Sequence, residues 1–284
     1  GVEKGDYVAV IGRNRPTLYW SMVAAQMCGA VPVPLYQDAA AEEMEYALQH
    51  CGARFVIAAD QEQVDKVIDI QDDLHQFEHM IYVDPRGMRK YDHRRLHEYA
   101  HIQDQGRAAY DEFIGELTAR RESLGYDDTC VMLYTSGTTG KPKGAMLPWR
   151  QITTNAVNTT LSFDLQEDDR CLAFLPLFHT GGLNCLAIPL LWRGGAVVLT
   201  ERFDAEEALR TMAEQRVTKV IAVPTMFDML FEAGLELRRP EHLRLLLSGG
   251  APCPDALLDR AHGSGFVMSQ GYGLTEAGPN LFTG

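Results

Sequence analysis

Eleven consecutive residues, Tyr134-Thr135-Ser136-Gly137-Thr138-Thr139-Gly140-Lys141-Pro142-Lys143-Gly144, have a composition suited to holding an anion and unsuited to building a core. Glycines admit the positive-φ turns that aim successive backbone N–H groups into one concavity. The hydroxyls of Thr135, Ser136, Thr138 and Thr139 add donors, and Lys141 and Lys143 add charge that a polyphosphate would neutralise. This is not the loop of ordinary P-loop NTPases. That pattern needs four residues between its first glycine and a Gly-Lys-Ser/Thr; here Gly137 and Gly140 stand too close, and Pro142 follows Lys141.

Three later stretches also combine glycine with groups that could touch a ligand. In Leu177-Phe178-His179-Thr180-Gly181-Gly182-Leu183-Asn184, two glycines beside a histidine and an aromatic mark a place where backbone and ligand approach closely. A packed core histidine is the plain alternative. Ser248-Gly249-Gly250-Ala251-Pro252 is a glycine-rich turn after an apolar run, and taken alone it is an ordinary tight turn. Some 130 residues after the first loop comes Gly271-Tyr272-Gly273-Leu274-Thr275-Glu276. Its glycines leave an aromatic ring uncovered for a purine, and a hydroxyl and a carboxylate follow for a phosphate and a Mg²⁺ ion.

These segments need elements to hold them. Tyr7–Ile11, 31–35, 54–58 and 80–83 read as short apolar strands. Helical patterns lie between them at 17–28, closed by Gly29, at 42–50, ending at Gly52, and in a polar amphipathic run before Met80. Strands alternating with helices of about ten residues imply an α/β fold, with layered, mostly parallel sheets and helices on both faces. Cys130 to Tyr134 reads as a buried strand, which sets the phosphate-type loop at a strand's carboxyl end, where open α/β sheets bind their ligands. Further on, strands are expected at 172–176, 196–199, 219–223 and 243–247. Helices are expected at 151–161, after Asp204 as a box-like cap, and at 226–231 behind Pro224. Residues 84–123 are charged and poor in apolar positions. There His93, His97 and His101 fall at a spacing that puts them on one face of a helix, as a solvated face and not as a metal site; His75 and His79 read the same way. One large domain over 1–284 is expected, with sub-lobes of roughly 1–83 and 124–284 around a polar insertion at 84–123.

With 284 residues and a formal charge of −13, the chain can bury a substantial core and offers no general face for nucleic acid. ATP needs only local positive charge and a cation. No apolar run approaches the roughly 20 residues of a membrane helix. The six cysteines form no Cys-x-x-Cys pair and read as small buried residues of a reducing cytoplasm, with peripheral membrane contact left open. The chain opens on Gly1 almost directly into a strand, as expected of a segment of a longer protein.

The 134–144 string and the Gly-Tyr-Gly-Leu-Thr-Glu string at 271–276, in this order and spacing, closely resemble the signatures of the AMP-forming adenylating superfamily. Its members include acyl-CoA synthetases, aryl-CoA ligases and the adenylation domains of peptide synthetases. The resemblance runs from Gly5-Asp6-Tyr7-Val8-Ala9 to Gly278. Val33-Pro34-Leu35-Tyr36-Gln37-Asp38, Asp84-Pro85-Arg86-Gly87 and Leu177 to Gly182 look most like long- and medium-chain fatty acyl-CoA synthetases. Pro148-Trp149 departs from the Ser/Thr-His pair many relatives carry, which leaves the next helix start open. The resemblance implies ATP, Mg²⁺ and CoA as co-substrates and cofactor. A carboxylic acid, expected to be a fatty acid, would become an acyl-adenylate and then a thioester.

Residue by residue, it implies that Thr135, Ser136, Gly137, Thr138, Thr139, Gly140 and Lys143 cradle the β/γ-phosphates. Thr275 would contact the α-phosphate and Glu276 would hold Mg²⁺. Tyr272, flanked by Gly271 and Gly273, and Gly250, Ala251 and Pro252 would bracket adenine. His179 would border the carboxylate, with Gly181, Gly182, Leu183 and Asn184 opening towards the acyl pocket. Lys143, His179, Thr275 and Glu276 are thus the expected catalytic set. The family's ribose-holding Asp, hinge and lid lysine would lie beyond a chain that stops eight residues after Glu276. The rivals are aryl-CoA ligation, adenylation for a carrier protein, and a nucleotide-binding module without turnover. The partners implied are small molecules. Acyl chain length, thiol acceptor and oligomeric state are not legible in one sequence.

Overall fold

The computed structural model describes residues 1–135 and 140–284. The chain divides into two compact units, Gly1–Trp149 and Arg150–Gly284. The sequence insertion at 84–123 and the strand ahead of the phosphate-type loop both fall in the first.

The first unit begins β1 (Tyr7–Ile11), α1 (Pro16–Met27), β2 (Val31–Leu35), α2 (Ala41–Cys51), β3 (Ala53–Ala58), α3 (Gln61–Ile70) and β4 (His79–Tyr82). It continues with β5 (Leu96–Glu98), α4 (Tyr99–Ala108), α5 (Tyr110–Glu122), β6 (Thr129–Thr135) and β7 (Lys143–Pro148). Strands β1 to β5 form an all-parallel sheet in the order β2-β1-β3-β4-β5. Near-continuous burial of β1, β2 and β3 is what a sheet covered on both faces requires. Met44, Leu48, Val64 and Val67 from α2 and α3 join Ile11, Val33, Val56 and Met80 in one core. Local signals set the ends: Gly52 closes α2 in the left-handed region at φ 67°, and the Asp60 side chain accepts from Gln63 N at 3.3 Å to open α3.

Two expectations are corrected here. His93, His97 and His101 do not share a helix face. His93 precedes β5, His97 lies within it opposite Ile81, and only His101 is helical, on α4. Leu96 is buried at the sheet edge, so its packing against β4 outweighs the local helical spacing. The phosphate-type loop does follow a strand. However, β6 pairs antiparallel with β7 as a separate two-stranded ribbon, not as a member of the parallel sheet.

The second unit comprises α6 (Trp149–Ser162), β8 (Arg170–Ala173), α7 (Thr180–Leu183), α8 (Ala187–Arg193), β9 (Ala196–Leu199), α9 (Ala205–Glu214) and β10 (Lys219–Ala222). Then come α10 (Pro224–Glu232), α11 (Leu235–Arg238), β11 (Leu245–Ser248), α12 (Asp255–Gly263), β12 (Met268–Leu274) and β13 (Gly278–Thr283). Its six strands run β13-β12-β11-β10-β8-β9, parallel except for the β12–β13 pair. Asp204 opens α9 as expected, accepting from Glu207 N at 2.9 Å. Helix α6 starts at Trp149, so Pro148-Trp149 marks a clean strand-to-helix junction.

A buried ion network sits at the amino ends of these strands. Asp169, fully buried, accepts from Thr218 Oγ1 at 2.5 Å and Gln166 N at 2.8 Å, is bound by Arg244, and faces Lys219 Nζ at 3.5 Å. Burial pushes its carboxyl up, but the Thr218 and Gln166 hydrogen bonds and the Lys219 charge hold it below the ordinary range. Five of the six cysteines are buried thiols, as expected of small core residues. No helix among the described residues is long and apolar enough to cross a membrane.

Candidate active site

In the first unit, Thr135 and Lys143 face each other across the β6–β7 pair, so the hairpin register fixes both ends of the loop between them. Ser136, Gly137, Thr138 and Thr139 lie outside the described residues. Gly144 packs closely under Met132: a Cβ there would stand 2.6 Å from Met132 Sδ, so the methionine side chain would have to shift. Lys143 is exposed and makes no ion pair among the described residues, which leaves its ammonium available to an anion.

In the second unit, the carboxyl ends of β8, β10, β11 and β12 surround a cavity of about 350 Å³. Three of the sequence-predicted segments meet there. His179 and Gly181 form one wall, Gly249 and Gly250 a second, and Gly271 and Gly273 a third. Apolar side chains, including Phe178, Ile221, Val223 and Met226, complete the lining. Such a cavity, apolar with a few convergent polar groups, is the common form of a small-molecule site.

The glycines have separable reasons. Gly250 sits at φ 80°, in the left-handed region. A Cβ on Gly182 would lie 2.3 Å from Pro176 O, and one on Gly273 would lie 1.6 Å from Pro279 O. These two therefore serve close backbone packing, with Gly273 letting β13 fold back on β12. Tyr272 is 59% exposed; its ring is 6.2 Å from that of Phe282, its cross-strand partner, and presents an open face.

His179 caps the one-turn helix α7: its Nδ1 accepts from Gly181 N at 2.9 Å. That bond fixes the tautomer with the proton on Nε2. Burial lowers the imidazole's affinity for a second proton, and protonating Nδ1 would oppose it to the Gly181 N–H. The histidine thus presents its Nε2–H as a donor at the wall of an apolar cavity. Leu183 and Asn184 are buried beside it and, like Gly182, do not line the cavity; Cys185 does. Ala251 and Pro252 are exposed just beyond the Gly249-Gly250 wall. Thr275 and Glu276 form a 3-10 turn after β12, and Gln151 Nε2 holds it through Glu276 O at 3.0 Å. The Glu276 carboxylate is exposed and unpaired among the described residues.

Sequence reasoning did not single out two polar residues on the cavity wall. Ser248, the last residue of β11, is fully buried, and its Oγ has no partner among the described residues. Asn280 lines the cavity and donates to Thr159 Oγ1 at 2.9 Å and Cys185 O at 3.0 Å, tying β13 to the α7–α8 turn. The only available signal for Ser248 was a hydroxyl ahead of a Gly-Gly turn. Asn280 had none.

The whole chain, residues 1–284, matches the model of a known family, described as "AMP-binding enzyme". The chain belongs to this family. Among curated relatives, the feruloyl-CoA synthase of an Amycolatopsis species is 34% identical, over 99% of this chain and 51% of its own length. The indoleacetate–CoA ligase of Aromatoleum aromaticum is 31% identical, over 98% and 52%. The crystal structure of o-succinylbenzoate CoA synthetase from Bacillus subtilis, in complex with ATP and magnesium, superimposes with a TM-score of 0.76 at 26% identity. It covers 99% of this chain and 52% of that one. The chain thus spans about half the length of these AMP-binding enzymes, and its α/β architecture is that of their amino-terminal part.

Proposed function

We propose that the protein is an AMP-forming acid–thiol ligase, which activates a carboxylic acid with ATP and passes the acyl group to CoA. One observation carries the reading. Three loop segments, far apart in sequence, converge at strand carboxyl ends on a single apolar cavity lined by a histidine whose Nδ1 is already held by Gly181 N.

In the first step a carboxylate oxygen attacks the α-phosphorus, the bond to the β-phosphate oxygen breaks, and pyrophosphate leaves. The gain comes from positioning and from charge placed where charge develops. Lys143, Thr135 and the hydroxyls of 136–139 would take the β/γ-phosphates, and Thr275 the α-phosphate. Tyr272 would cover one face of adenine and the Gly250-Ala251-Pro252 turn the other. His179, held with its proton on Nε2, would donate to the acid's carboxylate while its Nδ1 stays on Gly181. The apolar lining keeps water from the mixed anhydride. In the second step the thiol sulfur takes the acyl carbon and AMP leaves.

Glu276 fits Mg²⁺, because this ion is commonly held by one or two carboxylates together with substrate phosphates, and the Glu276 carboxylate is exposed and unpaired among the described residues. Bound there, Mg²⁺ would neutralise phosphate oxygens.

For the acid, the relatives named for feruloyl, indoleacetate and o-succinylbenzoate substrates support an aryl or arylalkyl carboxylate. We adopt that in place of the fatty acid expected from the sequence, which stays as the competing reading. Non-hydrolysable acyl-adenylate analogues carrying feruloyl, indoleacetyl, acetyl and long-chain acyl groups decide it by calorimetry. The aryl analogues should bind at least about tenfold tighter than acetyl or long-chain ones, a gap of about 1.4 kcal/mol. Affinity rising with alkyl chain length would restore the fatty acid. No binding by folded protein would remove the site assignment.

A further inference from the structure

Helix α2 carries no motif and none of the residues assigned to the site above, yet it touches both flanks of the phosphate-type loop. On the amino-terminal flank, Tyr134 OH donates to Ala47 O at 2.9 Å, and His50 Nδ1 meets the same phenol oxygen at 2.8 Å. On the other flank, Tyr46 OH donates to Pro142 O at 3.1 Å, and the Lys141 ammonium sits 4.8 Å above the Tyr46 ring. Tyr46 and His50 are one helical turn apart, and their rings stack at 5.5 Å. The two flanks are thus joined through a single pair of side chains on a helix whose opposite face is anchored in the core by Met44 and Leu48.

The Tyr134 phenol is thus shared between Ala47 O, which can only accept, and His50 Nδ1, whose role as donor or acceptor follows its tautomer. The lysines also divide. Lys141 is held on the Tyr46 ring as part of the fastening, whereas Lys143 has no partner among the described residues.

We propose that Tyr46 and His50 are positioning residues for phosphate binding: they hold Tyr134 on one flank and Lys141 and Pro142 on the other, and so keep the adjoining Lys143 in place before a polyphosphate arrives. The physical gain is the ordering entropy that free flanks would lose on binding. This rests on the phosphate role given to the loop above.

The test compares ATP with AMP, which lacks the phosphates the loop would take, by calorimetry on the full-length protein. Tyr46→Phe removes the bond to Pro142 but keeps the ring, and His50→Leu removes the hydrogen-bond partner of the Tyr134 phenol. Each should weaken ATP by about 3- to 10-fold, the size of one hydrogen bond, and leave AMP within twofold. His50→Gln, which keeps an N–H donor, should restore wild-type affinity. His50 is exposed, so its variants should fold. Unchanged ATP affinity, an equal loss for AMP, or His50→Gln behaving as His50→Leu would overturn the clamp alone. A wild-type protein that binds ATP no better than AMP would overturn the loop's phosphate role and the clamp with it.

Discussion

Ser248→Ala should stabilise the ligand-free protein and weaken its ligand. Ser248 is fully buried at the end of β11 beside the cavity, and its hydroxyl has no hydrogen-bond partner among the described residues. A buried hydroxyl left unsatisfied costs about 1–3 kcal/mol. Replacing it by a hydrogen returns that cost, less a few tenths for the lost contacts of one atom. A net gain of about 1 kcal/mol raises the midpoint of thermal unfolding by roughly 2–4 °C. The same hydroxyl is the polar atom that an adenylate in the cavity could satisfy. Its removal should cost one net hydrogen bond, about 0.5–1.5 kcal/mol, or about 2- to 12-fold in affinity for an acyl-adenylate analogue. Differential scanning calorimetry of the free protein and titration with the analogue read the two effects separately. A lower melting temperature for the variant would show that the hydroxyl is already paired and refute the argument at its start. A higher melting temperature with unchanged affinity would show that no ligand atom meets it.

Asp169→Asn should cost about 3–5 kcal/mol at pH 7, because it leaves Lys219 buried without its counter-charge. The folded protein holds the Asp169 carboxyl below its ordinary value, so its contribution is present above about pH 4 and is lost as pH falls through the depressed value. The difference in denaturant midpoint between wild type and variant should therefore shrink below pH 4; a constant gap would place the loss elsewhere. Tyr272→Ala should weaken adenylate binding by roughly 1–3 kcal/mol without lowering the melting temperature, since the ring is 59% exposed. Equal affinity would take the ring off the adenine. Glu276→Ala should raise the Mg²⁺ concentration needed for acid-dependent pyrophosphate exchange, and an unchanged Mg²⁺ titration would assign the ion to other ligands.

What the sequence determined was what a short window of chain can determine. Apolar runs at 7–11, 31–35 and 54–58 are buried on every side of a strand and need no partner to be recognised. Gly52 and Asp204 act on the helix turns beside them. The segments around His179, Gly250 and Gly271 were legible because glycine next to a polar or aromatic group is local chemistry, and all three reach one cavity. The tertiary structure decided the rest. His97 is a strand residue because β4 offers Leu96 an apolar edge, and β6 belongs to a two-stranded ribbon because β7 pairs back on it. Ser248 is buried because β10 and β12 enclose the end of β11, while Asp169 meets Lys219 and Arg244 from fifty and seventy-five positions away. Tyr46 and His50 gained their place at the loop only when α2 packed. In each case the deciding energy is a contact between residues distant in sequence: strand pairing, burial and desolvation act across the fold, and no residue's neighbours along the chain encode which partner it will meet.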